Sequence, residues 1–319
     1  MSACLGTWLP AAAVALGQDS PPGLKALATS GEENPADKQA GAPTTSGPLI
    51  TDTCIPIEAN HLQLQLTFVP TFYPGNFTSN WRRVSYGGNY FTYYMPLKIT
   101  YCPLKNWETY VIIPYVQNWN SSPNTPGPNG ETSATYAGIG DISWFTKYLL
   151  LEETDFQPAV SGLLGLGFPS GHASHLTPVF LGTDAVGTGS FAFTTGFNLY
   201  KYVKPLLLYG NIWLTTPVNL YQDRQDTVRS REYLTINLAA EYPLTTKWVA
   251  LLEFFSIWTW TNISTPQGYQ SPNTYVGVLP GIEYLLSDKW AFSAGAAFYL
   301  FGKQGSIQYM PTLSVYYNF

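Results

Sequence analysis

Ser306-Ile-Gln-Tyr-Met-Pro-Thr-Leu-Ser-Val-Tyr-Tyr-Asn-Phe319 closes the chain and decides how the rest is read. Counting back by twos from Phe319 gives Tyr317, Val315, Leu313, Pro311, Tyr309 and Ile307 on one face. Asn318, Tyr316, Ser314, Thr312, Met310 and Gln308 take the other. Successive side chains of a strand point to opposite faces. The first face therefore suits lipid and the second a polar interior.

A strand of this length ending on an aromatic residue looks like the last strand of a bacterial outer-membrane β-barrel, where apolar-out and polar-in positions alternate. Composition agrees. Of 319 residues, 16% are aromatic and only 11% charged, against about 25% charged in an ordinary soluble domain. Hydrophobic content is 45%, yet past the N-terminus no apolar run approaches the ~20 residues of a membrane helix. The net charge of -5, with Arg82-Arg83 as the longest basic cluster, excludes a nucleic-acid footprint.

Residues 1–17 hold a short apolar stretch with small residues near Ala15 and Gly17, which reads as a signal peptide. Residues 18–58 are rich in Pro, Gly, Ala, Ser and Thr and nearly free of aromatics. Such a segment buries too little to offset its ordering entropy, and it reads as a flexible periplasmic leader or plug-like tail. The barrel itself is expected over 59–319.

There the chain divides into runs at 60–73, 88–101, 106–117, 136–150, 155–168, 189–201, 205–216, 230–242, 247–261, 274–286, 289–301 and 306–319. Short turns such as Pro103–Lys105 and Ser287-Asp288 alternate with longer loops such as Trp119–Thr135 and Ser170–Thr188. Outer-membrane barrels have short periplasmic turns and long extracellular loops. The expected fold is an all-β, twelve-stranded antiparallel up-and-down transmembrane barrel with both ends in the periplasm. Trp107, Trp248 and Trp290 each follow a short turn, with Tyr101, Tyr242, Tyr284 and Tyr317 nearby. They read as a periplasmic aromatic girdle.

The same parity sends Lys98, Asp141, Lys147, Glu253 and Glu283 into the lumen, because a Lys or Arg facing lipid at mid-depth costs about 2–4 kcal/mol. Tyr209 and Trp213, Val249, Leu251, Phe255 and Ile257, and Tyr299 and Phe301 are also expected inside. With Cys4 in the signal region, Cys54 and Cys102 remain, both expected at the periplasmic rim. A disulfide between them is open, two unpaired thiols being the alternative.

Two segments carry a resemblance. Gly138-Ile-Gly-Asp-Ile-Ser-Trp-Phe-Thr-Lys-Tyr148 is followed on the next run by Gly165-Leu-Gly-Phe-Pro-Ser-Gly171. G-x-G-D, then K-Y, then an apolar strand ending in P-[ST]-G resembles the outer-membrane transporter family named for the MetA pathway of phenol degradation. The resemblance spans most of the chain after Ala59. It implies an outer-membrane barrel that passes hydrophobic or aromatic compounds. Ser170 stands where Thr is common in that family, and His172 where an acidic residue is common.

No chemistry of bond-making is expected. Gly-x-Ser-x-Gly is absent, and His172-Ala-Ser-His175 lacks a Cys or carboxylate partner for a metal. No catalytic, cofactor or metal site is therefore assigned. The expected partners are outer-membrane lipid, a small-molecule permeant, and the barrel assembly machinery through the strand ending in Phe319. The expected function is passive passage of small, hydrophobic or aromatic molecules. A structural or adhesive barrel with a closed lumen and interaction-competent loops is the competing reading.

Overall fold

A computed structural model describes residues 45–85, 89–121, 126–173, 175–219, 231–260, 263–265 and 268–319. The expected signal peptide and most of the expected leader lie outside them. The strands are β1 (Leu62–Phe77), β2 (Arg83–Ser85), β3 (Asn89–Leu104), β4 (Trp107–Ser121), β5 (Ser133–Ile139), β6 (Ile142–Leu151), β7 (Ala159–Phe168) and β8 (Ser190–Val203). They continue as β9 (Leu206–Asn219), β10 (Tyr233–Pro243), β11 (Trp248–Thr259), β12 (Ile263–Thr265), β13 (Gly268–Gln270), β14 (Thr274–Leu285), β15 (Trp290–Lys303) and β16 (Gly305–Asn318).

Chain neighbours pair antiparallel around the wall, and β16 returns to β1 with Gln63 opposite Asn318 and Phe68 opposite Leu313. β5 and β6 both pair with β4 and together make one wall strand, so the barrel has twelve. β2 folds back on the end of β1, and β12–β13 form a separate hairpin. Closure leaves no sheet edge with unpaired backbone in lipid, which is why only closed barrels span membranes with strands.

The faces separate as the alternation requires. On β16, Met310, Thr312, Ser314 and Tyr316 are buried while Tyr309, Leu313 and Phe319 are exposed. On β10, Thr235, Asn237, Ala239 and Glu241 are buried and Leu238 is 58% exposed. Exposed Leu164, Phe193, Ile212, Leu252 and Phe254 continue the outward apolar band. At the short-turn end, Trp248 packs at a tilt against its cross-strand partner Tyr284 with ring centroids 4.5 Å apart, and Trp290 against Tyr317 at 4.6 Å. Cross-strand aromatic pairs of this kind stabilise a sheet and anchor it at the membrane interface.

Four local differences from the sequence expectations have physical causes. The run 136–150 is interrupted at Gly140-Asp141, and the inward parity changes there. Phe301 is 62% exposed rather than inward, because the β14–β15 register steps over Leu300, a bulge that turns the strand over. The 74–87 loop is shorter than expected, since β1 runs on to Phe77 and pairs with β2. The 155–168 run begins only at Ala159, and Phe156 stands 99% exposed in the preceding turn.

Of the flexible and plug-like readings of the leader, residues 45–58 follow the plug-like one. They enter the barrel, where Leu49, Thr51, Asp52 and Cys54 are each 0% exposed. From Cys54, near the short-turn ends of β7 and β9, the segment rises to Leu49-Ile50 at mid-barrel. It then returns towards Glu283 and Tyr209, both near the short-turn end.

Candidate permeation site in the barrel lumen

A segment without secondary structure brings unpaired N–H and C=O groups, and buried ones must find partners. Here the barrel wall supplies them from side chains. Glu253 accepts hydrogen bonds from three consecutive amides: Leu49 N to Oε1 at 2.6 Å, Ile50 N to Oε1 and Oε2 at 3.0 and 2.9 Å, and Thr51 N to Oε2 at 2.6 Å. Successive amides curved round one anion form a nest. Glu283 Oε1 accepts from Ser46 N at 2.6 Å. Asn211 makes a reciprocal pair, accepting from Asp52 N at 2.7 Å and donating to Asp52 O at 2.8 Å.

The segment's carboxylate is bound as specifically as its backbone. Asp52 Oδ2 accepts from Asn198 Nδ2 at 2.9 Å and from the Tyr110 hydroxyl at 3.4 Å, and Oδ1 lies 3.8 Å from Lys98 Nζ. Lys98 also sits 3.9 Å from the centre of the Tyr110 ring. Lys147 donates to Thr53 O at 2.9 Å and pairs with Glu108 at 3.3 Å, its register partner on β4. Glu108 in turn accepts from Ile57 N at 2.9 Å. Removing one member of such a dry pair leaves an uncompensated buried charge, which costs several kcal/mol. The polar network therefore ties wall and segment into one unit.

Towards the long-loop end the interior changes character. Val69, Phe77, Leu251, Phe255, Tyr275, Leu279, Ala297, Tyr299 and Met310 form a buried cluster with Leu49 and Ile50, and Tyr94, Ile257 and Ile307 pack against it. Tyr299 meets Phe255 and Tyr275 edge-on, with centroids 5.3 Å apart in each case. On the outer wall, a cleft of about 600 Å³ runs past Leu252, Val278, Phe298 and Ile307, beside the Leu300 bulge. Tyr299 belongs both to its lining and to the interior cluster.

The two motifs singled out in the sequence meet at the long-loop end. Asp141 Oδ1 accepts from Gly171 N at 2.9 Å, and Oδ2 from both the amide and the hydroxyl of Thr188 at 2.6 Å. Ser170 Oγ donates to Gly140 O at 2.9 Å and accepts from Ile142 N at 2.8 Å, satisfying the backbone at the β5–β6 break. Only a residue without a side chain fits at Gly171, where a Cβ would stand 2.7 Å from Gly187 Cα. The β7–β8 connection is thereby folded over the barrel mouth. Buried Asn118 of β4 holds it there through Thr183 O at 2.9 Å and Ala185 O at 3.2 Å.

Of the residues expected inside, Lys98, Lys147, Tyr209, Trp213, Glu253 and Glu283 are all buried. Asp141 is the exception among the expected lumen charges. It lies at the break between strands, only half-buried, and its carboxylate is taken up by the loop. Tyr209 donates to Glu241 at 2.8 Å, and Trp213 to Asn198 at 2.7 Å. Cys54 and Cys102 are buried free thiols, so the open disulfide does not form. Cys102 Sγ instead contacts Leu104 O and Trp107 O at 3.2 Å each. Burial pushes the Cys54 thiol up to about 12, with a hydrogen bond involving Ser161 opposing in part. His172 packs near Tyr136, centroids 5.9 Å apart.

Sequence reasoning missed Asp52, Glu108, Asn118, Asn198 and Asn211. Parity alone would have found the four wall residues. Nothing local would have found Asp52, which takes its role from a wall distant in sequence.

No curated protein matches the chain. Among solved structures, it is similar to the COG4313 outer membrane channel from Pseudomonas putida F1, with TM-score 0.61 at 10% identity, covering 82% of this chain and 96% of that one. It is more distantly similar to the translocator domain of the autotransporter NalP from Neisseria meningitidis, with TM-score 0.45, 12% identity and 82% and 89% coverage. The Ralstonia pickettii toluene transporter TbuX gives TM-score 0.42, 10% identity and 82% and 90% coverage. Residues 82–302, spanning both motifs and ten of the wall strands at least in part, match the model of the family described as "Putative MetA-pathway of phenol degradation". With its closed twelve-stranded barrel and lipid-facing apolar band, the chain is a bacterial outer-membrane protein, and it belongs to that family.

Proposed function

We propose that the barrel passes small apolar molecules, chiefly single-ring aromatics, down their gradient across the outer membrane. One observation carries the reading: the interior beneath the long loops is an apolar, aromatic cluster, where a general hydrophilic pore would have charged, hydrated walls. Phe255, Tyr275 and Tyr299 offer ring edges and faces for weak stacking, worth about 0.5–1.5 kcal/mol per pair. The family's description names phenol degradation, and the Pseudomonas putida relative is a channel by title. Both support the reading. Lys98, Lys147, Glu253 and Glu283 would set the polarity of the lower lumen once segment 45–58 moves aside, and the outer-wall cleft would give an apolar solute a route between the interior and lipid.

The test is uptake of radiolabelled toluene by cells with an intact outer membrane, with and without the protein. Faster uptake with the protein is the expected result, and equal rates would refute the proposal. The competing reading, a closed structural barrel, is favoured by the filled lumen and the folded-over β7–β8 connection. It requires wild-type protein to give neither toluene uptake nor conductance steps in planar bilayers. Assembly-machinery recognition of the terminal strand belongs to the same proposal. Removing Phe319 would lower the folded yield in membranes.

A further inference from the structure

We infer that Leu49-Ile50, the tip of the inserted segment, occupies the permeant's own binding site and keeps it shut by imitating the permeant. The inference rests on the channel reading above and adds where the permeant binds and what competes with it. Besides the Asp52 carboxylate, held by Asn198, Tyr110 and Lys98, two kinds of contact hold the segment. Glu253 and Glu283 take backbone amides, so that part of the grip would hold almost any sequence. At the tip the contacts are made by side chains and are apolar. Leu49 is 0% and Ile50 2% exposed, within the cluster that contains Phe255, Leu279 and Tyr299. At Gly295 of β15 a Cβ would stand 2.7 Å from Leu279 Cδ2, 2.9 Å from Pro280 O and 3.0 Å from Leu49 Cδ1, so wall and tip are close-packed there.

The flanking residues sharpen the point. Thr45, Ser46, Thr51, Asp52 and Thr53 are polar, as suits a segment filling a polar lumen. The tip, where the interior turns aromatic, carries two adjacent branched aliphatic side chains, while Ile55 and Ile57 lie nearer the short-turn end, Ile55 against the Cys54 cluster. Side by side these are close in bulk to one alkyl-substituted benzene ring, which sets the ligand class as a compact monocyclic hydrocarbon. Displacement of the side chains also moves the amides that Glu253 binds, because the same residues carry both. A ligand shifts an equilibrium by its differential affinity for the two states. A permeant that takes the seat thus loosens the polar grip on the segment and opens the lumen below.

The experiment uses Leu49→Cys in a Cys4→Ser, Cys54→Ser, Cys102→Ser chain, reconstituted in nanodiscs and exposed to a membrane-impermeant maleimide. Toluene is the probe. It is expected to speed labelling by about tenfold, a shift of about 1.4 kcal/mol in the displaced population, with heat-modifiable migration unchanged. Leu49→Ala combined with Ile50→Ala keeps every backbone contact to Glu253, and is expected to raise cellular toluene uptake several-fold. Labelling indifferent to toluene and uptake unchanged in the double variant, in a protein whose wild type takes up toluene, would overturn the imitation while the channel reading stands. A wild type that takes up no toluene overturns both.

Discussion

Glu253 shows what one side chain does in this lumen. A carboxylate at 0% exposure with no cation beside it among the described contacts is tolerated because three amides converge on it. Glu253→Gln removes the charge but keeps the shape. It is expected to weaken the hold on the segment by about 2 kcal/mol, the scale of a hydrogen bond to a charged group. In planar bilayers this should appear as more frequent opening than in wild type, and identical gating would argue against the amide grip. Cys54 gives a second prediction at this scale. Its thiol is buried and pushed up to about 12, so at pH 8 the reactive thiolate is scarce. Iodoacetamide should leave Cys54 unmodified in the folded barrel and modify Cys54 and Cys102 alike after denaturation. Migration on non-reducing and reducing gels should be the same. The sign for stability follows from a raised acid. The folded state holds the proton more tightly than the unfolded thiol at 9.0, so this group's contribution falls as pH rises from about 9 towards 12.

Among the elements, the β5–β6 break and the β7–β8 connection act as a pair. Asp141 bonds Gly171 and Thr188, and Ser170 fills the gap in the strand. Asp141→Ala removes three charge-assisted hydrogen bonds and leaves the donors of Gly171 and Thr188 seeking water. The expected result is a connection that proteases cut in the folded protein, at sites resistant in wild type, while the barrel keeps its heat-modifiable migration. An uncut variant would mean that Asn118 and Asn120, which bonds Leu181 O at 3.1 Å, suffice to hold the connection. The motif residues were visible in the sequence, but their meeting was not. Asp141 lies on a strand by alternation, and only the change of parity at Gly140 frees its carboxylate for a loop thirty residues on. Phe301 was misplaced for a related reason. A bulge adds one residue and inverts every face beyond it, and no periodicity reveals the slip until the partner strand is in place.

For the molecule as a whole, the bilayer determines which face tolerates charge. Leu238 is 58% exposed near the middle of β10, between inward Asn237 and Ala239. Leu238→Lys is expected to cost about 2–4 kcal/mol in urea unfolding from lipid vesicles, a loss that would be absent were this face in water. The lumen obeys the opposite rule. It gathers Lys98, Lys147, Glu108, Glu253 and Glu283 around a segment whose backbone and Asp52 they hold.

Alternation and turn lengths determined by themselves the class of fold, the number of wall strands, the inward Lys98, Lys147, Glu253 and Glu283, and the aromatic girdle. These follow from short-range rules: strands alternate with period two, and lipid rejects charge at every position independently. Only the tertiary structure decided that residues 45–58 fill the lumen, that the cysteines stay apart and that Asp141 clasps a loop. A polar, aromatic-poor segment reads as disordered because nothing in its own sequence can satisfy its backbone. Here the partners are carboxylates and amides on β9, β11 and β14, brought round it only when the barrel closes.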